Sequence, residues 1–267
     1  AETYFPLLVI AETIFPNIRN ILKEHKIGYI DLNGNINIEA DNFLLKIEGD
    51  NKRYHHPEKD GRAFTKVGLK TILLFLVNEE KINAPYREIA NSTGIAIGNV
   101  KLILDGLIEE GFVLRKNDRE LKLKNKKDLL QKWITGFNEK LKPILLLGNF
   151  KFMKADDFNK WKELKIDGKD TFWGGEAAGN IYTGFLLPQT LTLYTNEKKL
   201  DLMKKYRLIP DNNGNITVFE RFWRFGWGND NVVPPIIAYA DLLETNDRRC
   251  IETAQKIYEQ HLKNTIE

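Results

Sequence analysis

With 267 residues, 42% of them hydrophobic, the chain is long enough to bury a sizeable core and to divide into two or three domains. Its formal net charge of +3 is too small to mark a nucleic-acid binder by itself, so the placement of the basic residues decides. The single cysteine, Cys250, excludes an intrachain disulfide and a cysteine-cluster metal site and fits a cytoplasmic protein. No apolar run approaches the ~20 residues needed to span a bilayer, and the opening residues lack a basic leader ahead of a long apolar core, so no membrane partner is expected.

In chain order, residues 4–10 form a short apolar strand candidate, and residues 16–25 carry a helical stripe of Ile18, Ile21 and Leu22. Asn33-Gly34, flanked by apolar residues at strand spacing over residues 28–38, is a strong hairpin turn, and residues 43–48 add another strand. A polar, basic linker follows over residues 49–62. It holds His55 and His56, but sequence neighbours point apart and no third ligand lies near, so no metal is expected.

Residues 64–77 predict a buried helix, because Val67, Leu69, Ile72, Leu73, Phe75, Leu76 and Val77 nearly fill its circumference. The stretch 83–124 organises the rest and has the pattern of a winged helix-turn-helix. Pro85 suits a first helical turn, and Thr93-Gly94 ends that helix where glycine takes the left-handed conformation. Val100, Ile103, Leu104, Leu107 and Ile108 then recur at three- and four-residue spacing. The other face of this second helix carries Asn99, Lys101 and Asp105, with the small residues Ala96 and Gly98 at its start, as in a recognition helix that enters a major groove. Residues 112–124 alternate apolar with charged side chains around Asn117-Asp118, which predicts the wing.

The expected DNA-contacting residues are Ile97, Gly98, Asn99 and Lys101 on the helix and Arg115, Lys116, Arg119 and Lys122 on the wing, with Lys124, Lys126 and Lys127 extending the positive charge. Winged helices also serve as protein-interaction modules, and a solvated charged hairpin is the plainer alternative.

Beyond the wing, residues 128–141 predict a helix striped by Leu129, Leu130, Trp133, Ile134 and Phe137 and ended by Pro143. Aromatics then become frequent, with Trp161, Trp173, Trp223 and Trp227 in the second half. The expected elements there are helices over 155–164, 177–185, 198–205, 234–243 and 248–262, strands at 191–194 and 216–219, and a glycine-rich turn at 173–176. The fold class is α+β: a small N-terminal α/β piece and linker (1–62), a winged helix-turn-helix (63–127), and a C-terminal α+β domain opened by a connecting helix (128–267).

Several segments together resemble the AbiEi-like antitoxin and transcriptional-regulator family of type IV toxin–antitoxin and phage-defence systems. They are Gly28-Tyr29-Ile30-Asp31 with Gly34-Asn35, residues 83–90 with Gly94 and Gly98-Asn99-Val100, Trp173-Gly174-Gly175-Glu176-Ala177-Ala178, Leu191-Thr192-Leu193-Tyr194, and Val233-Pro234-Pro235 through Tyr239-Ala240-Asp241-Leu242-Leu243. The resemblance implies a DNA-binding regulator of its own operon, acting at an operator or promoter, and a C-terminal domain that opposes a nucleotidyltransferase-like toxin. It implies no catalytic residue and no cofactor.

Three other functions compete with that one. A nucleotidyltransferase needs closely spaced carboxylates for its metal ions, yet the chain has no Asp-x-Asp pair and no P-loop; the free N–H groups after Trp173-Gly174-Gly175 are its one supporting feature. A nuclease would draw on Asp31, Glu39 and Glu48 with Lys46, although Lys46-Ile47-Glu48 reverses the usual order of acid and lysine. The third is a non-catalytic interaction module built on the aromatic C-terminal surface.

Overall fold

The computed structural model describes residues 7–11, 14, 16–32, 34–40, 43–47, 62–117, 120–166, 168–228 and 231–267. The chain is α+β and divides into two compact units, residues 1–58 and 59–267.

The first unit holds β1 (Leu8–Ala11), α1 (Pro16–Glu24), β2 (Gly28–Asp31), β3 (Ile36–Ala40) and β4 (Phe43–Ile47). The strands lie in that order in one sheet, with β1 parallel to β2 and the later pairs antiparallel. Buried Asp31 closes the β2–β3 turn: its carboxylate accepts from the Asn35 backbone N–H at 3.0 Å and from the Ile14 N–H at 3.2 Å. A carboxylate held this way is a turn anchor, a simpler role than the nuclease ligand considered above. Asn33, Glu48, His55 and His56 lie outside the described residues.

The second unit opens with α2 (Lys66–Val77), α3 (Tyr86–Thr93), α4 (Ile97–Glu109) and the hairpin β5 (Val113–Arg115) and β6 (Leu121–Leu123). Thr65 caps α2 by accepting from the Gly68 N–H at 3.2 Å, and Leu69, Ile72, Leu73 and Phe75 are wholly buried. At the end of α3, Gly94 takes φ +69° and donates its N–H to the Ala90 carbonyl at 2.8 Å, releasing the chain toward α4. The buried side of α4 carries Val100, Ile103, Leu104 and Leu107. The hairpin pairs Val113 with Leu123 and Arg115 with Leu121. Asn83 supports its outer edge, donating to the Leu121 carbonyl at 2.9 Å and accepting from the Leu121 N–H at 2.8 Å.

Next comes α5 (Lys126–Gly136), a π-helical turn over Phe137–Leu141, and α6 (Lys142–Leu145). Pro143 therefore does not end the helix as its sequence suggests. Proline lacks an N–H and crowds the carbonyl four residues back; the wider π turn ahead of it relieves both problems and lets the helix run on.

The remaining elements are β7 (Leu146–Phe152), β8 (Thr171–Gly174), α7 (Gly175–Thr183), β9 (Leu191–Thr195), α8 (Lys199–Tyr206), β10 (Leu208–Pro210), β11 (Ile216–Glu220), α9 (Pro235–Glu244), α10 (Arg248–Ile257) and α11 (Lys263–Ile266). The sheet order is β10-β7-β11-β9-β8, with β11 and β9 its parallel pair. Helices α7, α9 and α10 pack on one another. The helix expected over 155–164 is instead two single 3-10 turns, Ala155–Phe158 and Trp161–Glu163, because Trp161 leaves helical register to meet Trp173 edge-on at 5.2 Å. Trp173 and Gly174, expected in a turn, belong to strand β8.

Leu104 is 2% exposed and sits in the same core as Ile72 and Phe75. Leu104→Ala is expected to lose about 2–5 kcal/mol through the cavity it leaves, measured by denaturant unfolding. A loss under ~1 kcal/mol would mean that α4 is not a core helix.

Candidate functional site

Two regions concentrate polar chemistry, one exposed and one buried. The first is the start of α4 with the adjoining hairpin. Ala96 precedes α4 without a side-chain cap; the Asn99 N–H donates to the Ala96 carbonyl at 3.0 Å, which leaves the N–H groups of Ile97 and Gly98 for an outside acceptor. Ile97, Gly98 and Lys101 are exposed and Asn99 is partly exposed. A Cβ built on Gly98 would have no atom within 4 Å, so that turn of backbone is open to close approach.

On the hairpin, Arg115, Lys116 and Lys122 are exposed. Lys116 bridges to Glu120 at 2.8 Å, and its ammonium holds the Glu120 carboxyl below the usual range. Arg115 and Lys122 have no hydrogen-bond or ion-pair partner among the described residues. Arg119 lies outside the described residues. Of the basic residues beyond the hairpin, Lys126 pairs with Glu79 at 3.2 Å, whereas Lys124 and Lys127 remain exposed.

The second region is buried and centres on Asp241, in α9. Its Oδ1 accepts the Tyr194 hydroxyl at 2.8 Å and faces Lys142 Nζ at 2.7 Å, while Oδ2 accepts the Gly175 N–H at 3.0 Å. Lys142 also pairs with Glu244 and lies 5.2 Å from the Phe219 ring centre. The glycine pair of the 173–176 motif exists for this packing. A Cβ on Gly174 would stand 2.7 Å from the Tyr194 ring, and one on Gly175, whose φ is +50°, would stand 2.5 Å from Thr192 Oγ1.

Glu176 is likewise engaged, accepting from the Gln189 N–H at 2.8 Å and the Thr190 hydroxyl at 3.2 Å. The first N–H of α7, that of Gly175, thus meets the protein's own carboxylate, so a phosphate there would compete with Asp241. Next to this network lies a cavity of about 440 Å³ bordered by Lys142, Glu176, Thr192, Thr217 and Glu244.

Burial pulls the Lys142 ammonium down, but the Asp241 carboxylate, with help from Glu244, outweighs it and the net displacement is upward. Tyr194 is pushed well above its ordinary value, first by burial and then by the Asp241 charge, so its hydroxyl stays protonated and donates.

The sequence marks Gly175 as part of a turn with free helix N–H groups, holds Tyr194 and Asp241 within the resemblance segments with no role for either, and does not single out Lys142. A lysine between Leu141 and Pro143-Ile144-Leu145 was the available signal, since a cation in an apolar run needs a buried partner.

A family model described as transcriptional regulator, AbiEi antitoxin, type IV toxin–antitoxin system, matches residues 122–263. The match covers more than half of the 267 residues, and the chain belongs to that family. It begins in β6, so α2, α3 and α4 precede it, while the whole Asp241 network falls inside it. No curated protein and no solved structure gives a significant match. Among the described residues no helix is long and apolar enough to cross a membrane.

Removing one member of a buried ion pair strands the other. Lys142→Met is expected to cost about 3–5 kcal/mol and Tyr194→Phe about 1–3 kcal/mol in denaturant unfolding. The double variant K142M/D241N should lose less than the sum of its singles. Because the folded pKa of Lys142 lies above the unfolded one, its contribution is complete below the unfolded value of ~10.4 and fades only as pH climbs through the higher folded value. Stability lost between pH 5 and 8 on account of Lys142 would contradict the network.

Proposed function

We propose that this protein is a DNA-binding transcriptional regulator whose second unit opens with a winged helix-turn-helix, residues 63–127, and that it represses its own promoter as the antitoxin of a type IV system. The C-terminal α+β part, residues 128–267, is on this reading the part that opposes a nucleotidyltransferase-like toxin. Membership of the antitoxin family supports the general role. The observation that carries DNA binding is the uncapped, exposed start of α4 beside a hairpin where the side chains of Arg115 and Lys122 make no close ion pair among the described residues, Lys122 lying only within electrostatic reach of Glu120. Backbone N–H groups and unpaired cations are the groups that hold phosphates, while Asn99 and Lys101 supply the side chains able to read base edges.

A second reading rests on the apolar residues that the same elements expose. Tyr86, Ile97, Leu102 and Leu114 are 44%, 52%, 41% and 43% exposed, which suits a protein docking face.

Mobility shifts with the protein's own upstream DNA and with random duplex, over several salt concentrations, separate the two readings. Lys122→Gln should weaken binding to every sequence alike and flatten the salt slope by about one unit. Asn99→Ala should cost about 1–3 kcal/mol on the preferred site and little on random DNA. Wild type that binds neither duplex at low salt, but captures a stoichiometric protein, would establish the docking face instead.

A further inference from the structure

The chain leaving β11 crosses the turn between α3 and α4. The Arg224 N–H donates to the Ser92 carbonyl at 3.1 Å, and the Arg224 side chain lies against Gly94, where a Cβ would stand 2.7 Å from Nε. Together with Lys70 of α2 and Arg221, Arg224 borders a predominantly polar cavity of about 210 Å³ in which Glu220 is the single carboxylate. Gly94 also lines it and stands two residues before Ala96, so the cavity adjoins the start of α4.

The lining holds three cations and one exposed carboxylate, Glu220, and Asp170 adds an acidic charge that acts on Arg221, so the cations stay in excess. Arg221 is held from two sides: its Nη1 donates to the Lys169 carbonyl at 2.7 Å, and its guanidinium carbon lies 4.8 Å from the Phe172 ring centre and 5.4 Å from that of Trp223. Its Nε is buried and has no hydrogen-bond partner, and an unmatched donor of this kind gains from an anion. Neither the Lys70 nor the Arg224 side chain has a hydrogen-bond or ion-pair partner among the described residues.

We propose that this cavity is a phosphate-binding site and that, in the complex with DNA, it takes a backbone phosphate next to the groove that α4 enters. The identification of the phosphate's source rests on the DNA-binding reading above; the phosphate site itself does not. The C-terminal half would then touch DNA directly, through residues 221–224, in addition to whatever it does with a protein partner. A guanidinium pair with an ammonium suits a tetrahedral dianion or a phosphodiester better than a carboxylate ligand, because the donors come from α2 and from the segment after β11, not from one plane.

The test uses the full chain with Lys70→Gln, Arg224→Gln and the double variant. These two side chains lack protein partners, so their removal should leave the unfolding midpoint unchanged, which is checked first. Phosphorus NMR of inorganic phosphate reports the site without DNA: wild type should broaden the signal and the double variant should not. In mobility shifts the double variant should lose affinity for specific and random duplex by the same factor, with the salt slope reduced by roughly one unit, as for the loss of one phosphate contact, and sequence preference retained. Phosphate binding that the variants abolish, with DNA affinity untouched, would keep the phosphate site and assign it to a free phosphorylated ligand. Phosphate binding equal in wild type and double variant, or absent from both, together with unchanged DNA affinity, would overturn the proposal. If wild type binds no DNA at all, the regulator reading fails, and the phosphate titration still decides this one.

Discussion

The second unit depends on one run of aromatic rings in mutual contact. Trp133 of α5 donates its indole N–H to the Leu69 carbonyl of α2 at 2.8 Å and stacks on Phe137 at 4.9 Å. Phe137 meets Phe222 at 5.6 Å, Phe222 meets Trp223 at 5.2 Å, and Trp223 meets Tyr194 at 5.7 Å. The rings thus run without a break from α5, which is bonded to α2, to the strand that donates to Asp241. Each such pair adds about 0.5–1.5 kcal/mol beyond the area it buries, and no ring in the run is more than 2% exposed apart from Phe222 at 4%. The π turn at Phe137–Leu141 belongs to this arrangement, since it both admits Pro143 and presents Phe137 to Phe222.

The Asp241 network lies at the far end of the rings and joins three of the segments on which the family resemblance rests. Residues 173–178, 191–194 and 239–243 are remote in sequence, yet they supply Gly175, Tyr194 and Asp241 to one carboxylate. A buried charge is costly unless every lone pair is matched. Here a hydroxyl, a backbone N–H and an ammonium match it, and the closeness they require leaves no room for side chains at positions 174 and 175. The glycine pair is thereby explained by packing, and the phosphate-binding turn that an enzyme reading would draw on already has an internal carboxylate.

Elements whose period and boundaries agree locally were legible in the sequence. Gly94 between two apolar stripes marks the α3–α4 turn, and the alternation from Phe112 onward marks the hairpin, because turn chemistry and hydrophobic spacing point the same way there. Strand β7 was not legible: Ile144 to Leu147 is a continuous apolar run that suits a buried strand or a helix equally, and Gly148-Asn149 within it looks like a break. Pro143 misled for the same local reason, since a π turn satisfies the backbone in a way that no residue type announces. Among site residues, the exposed face of α4 followed from its amphipathic pattern. Lys142 with Asp241, and Lys70 with Arg221 and Arg224, did not, because each set is assembled from elements that only the tertiary fold brings together.

The continuous core also bears on how repression and toxin control would coexist in one molecule under the proposed function. A partner on the C-terminal half alters DNA binding only if it binds two arrangements of the α3–α4 turn with different affinity. The turn is tied to that half by the Arg224–Ser92 hydrogen bond and, through Phe222 and Trp223, by rings that are almost wholly buried. Packed interiors of this kind shift between discrete arrangements or not at all. On this reading a partner that neither displaces residues 221–224 nor drives such a discrete shift leaves α4 as it is, and the two activities would proceed side by side. One that seats on those residues takes Arg224 from the turn and from the cavity it borders, and so links toxin engagement to DNA release through direct competition for the same cations.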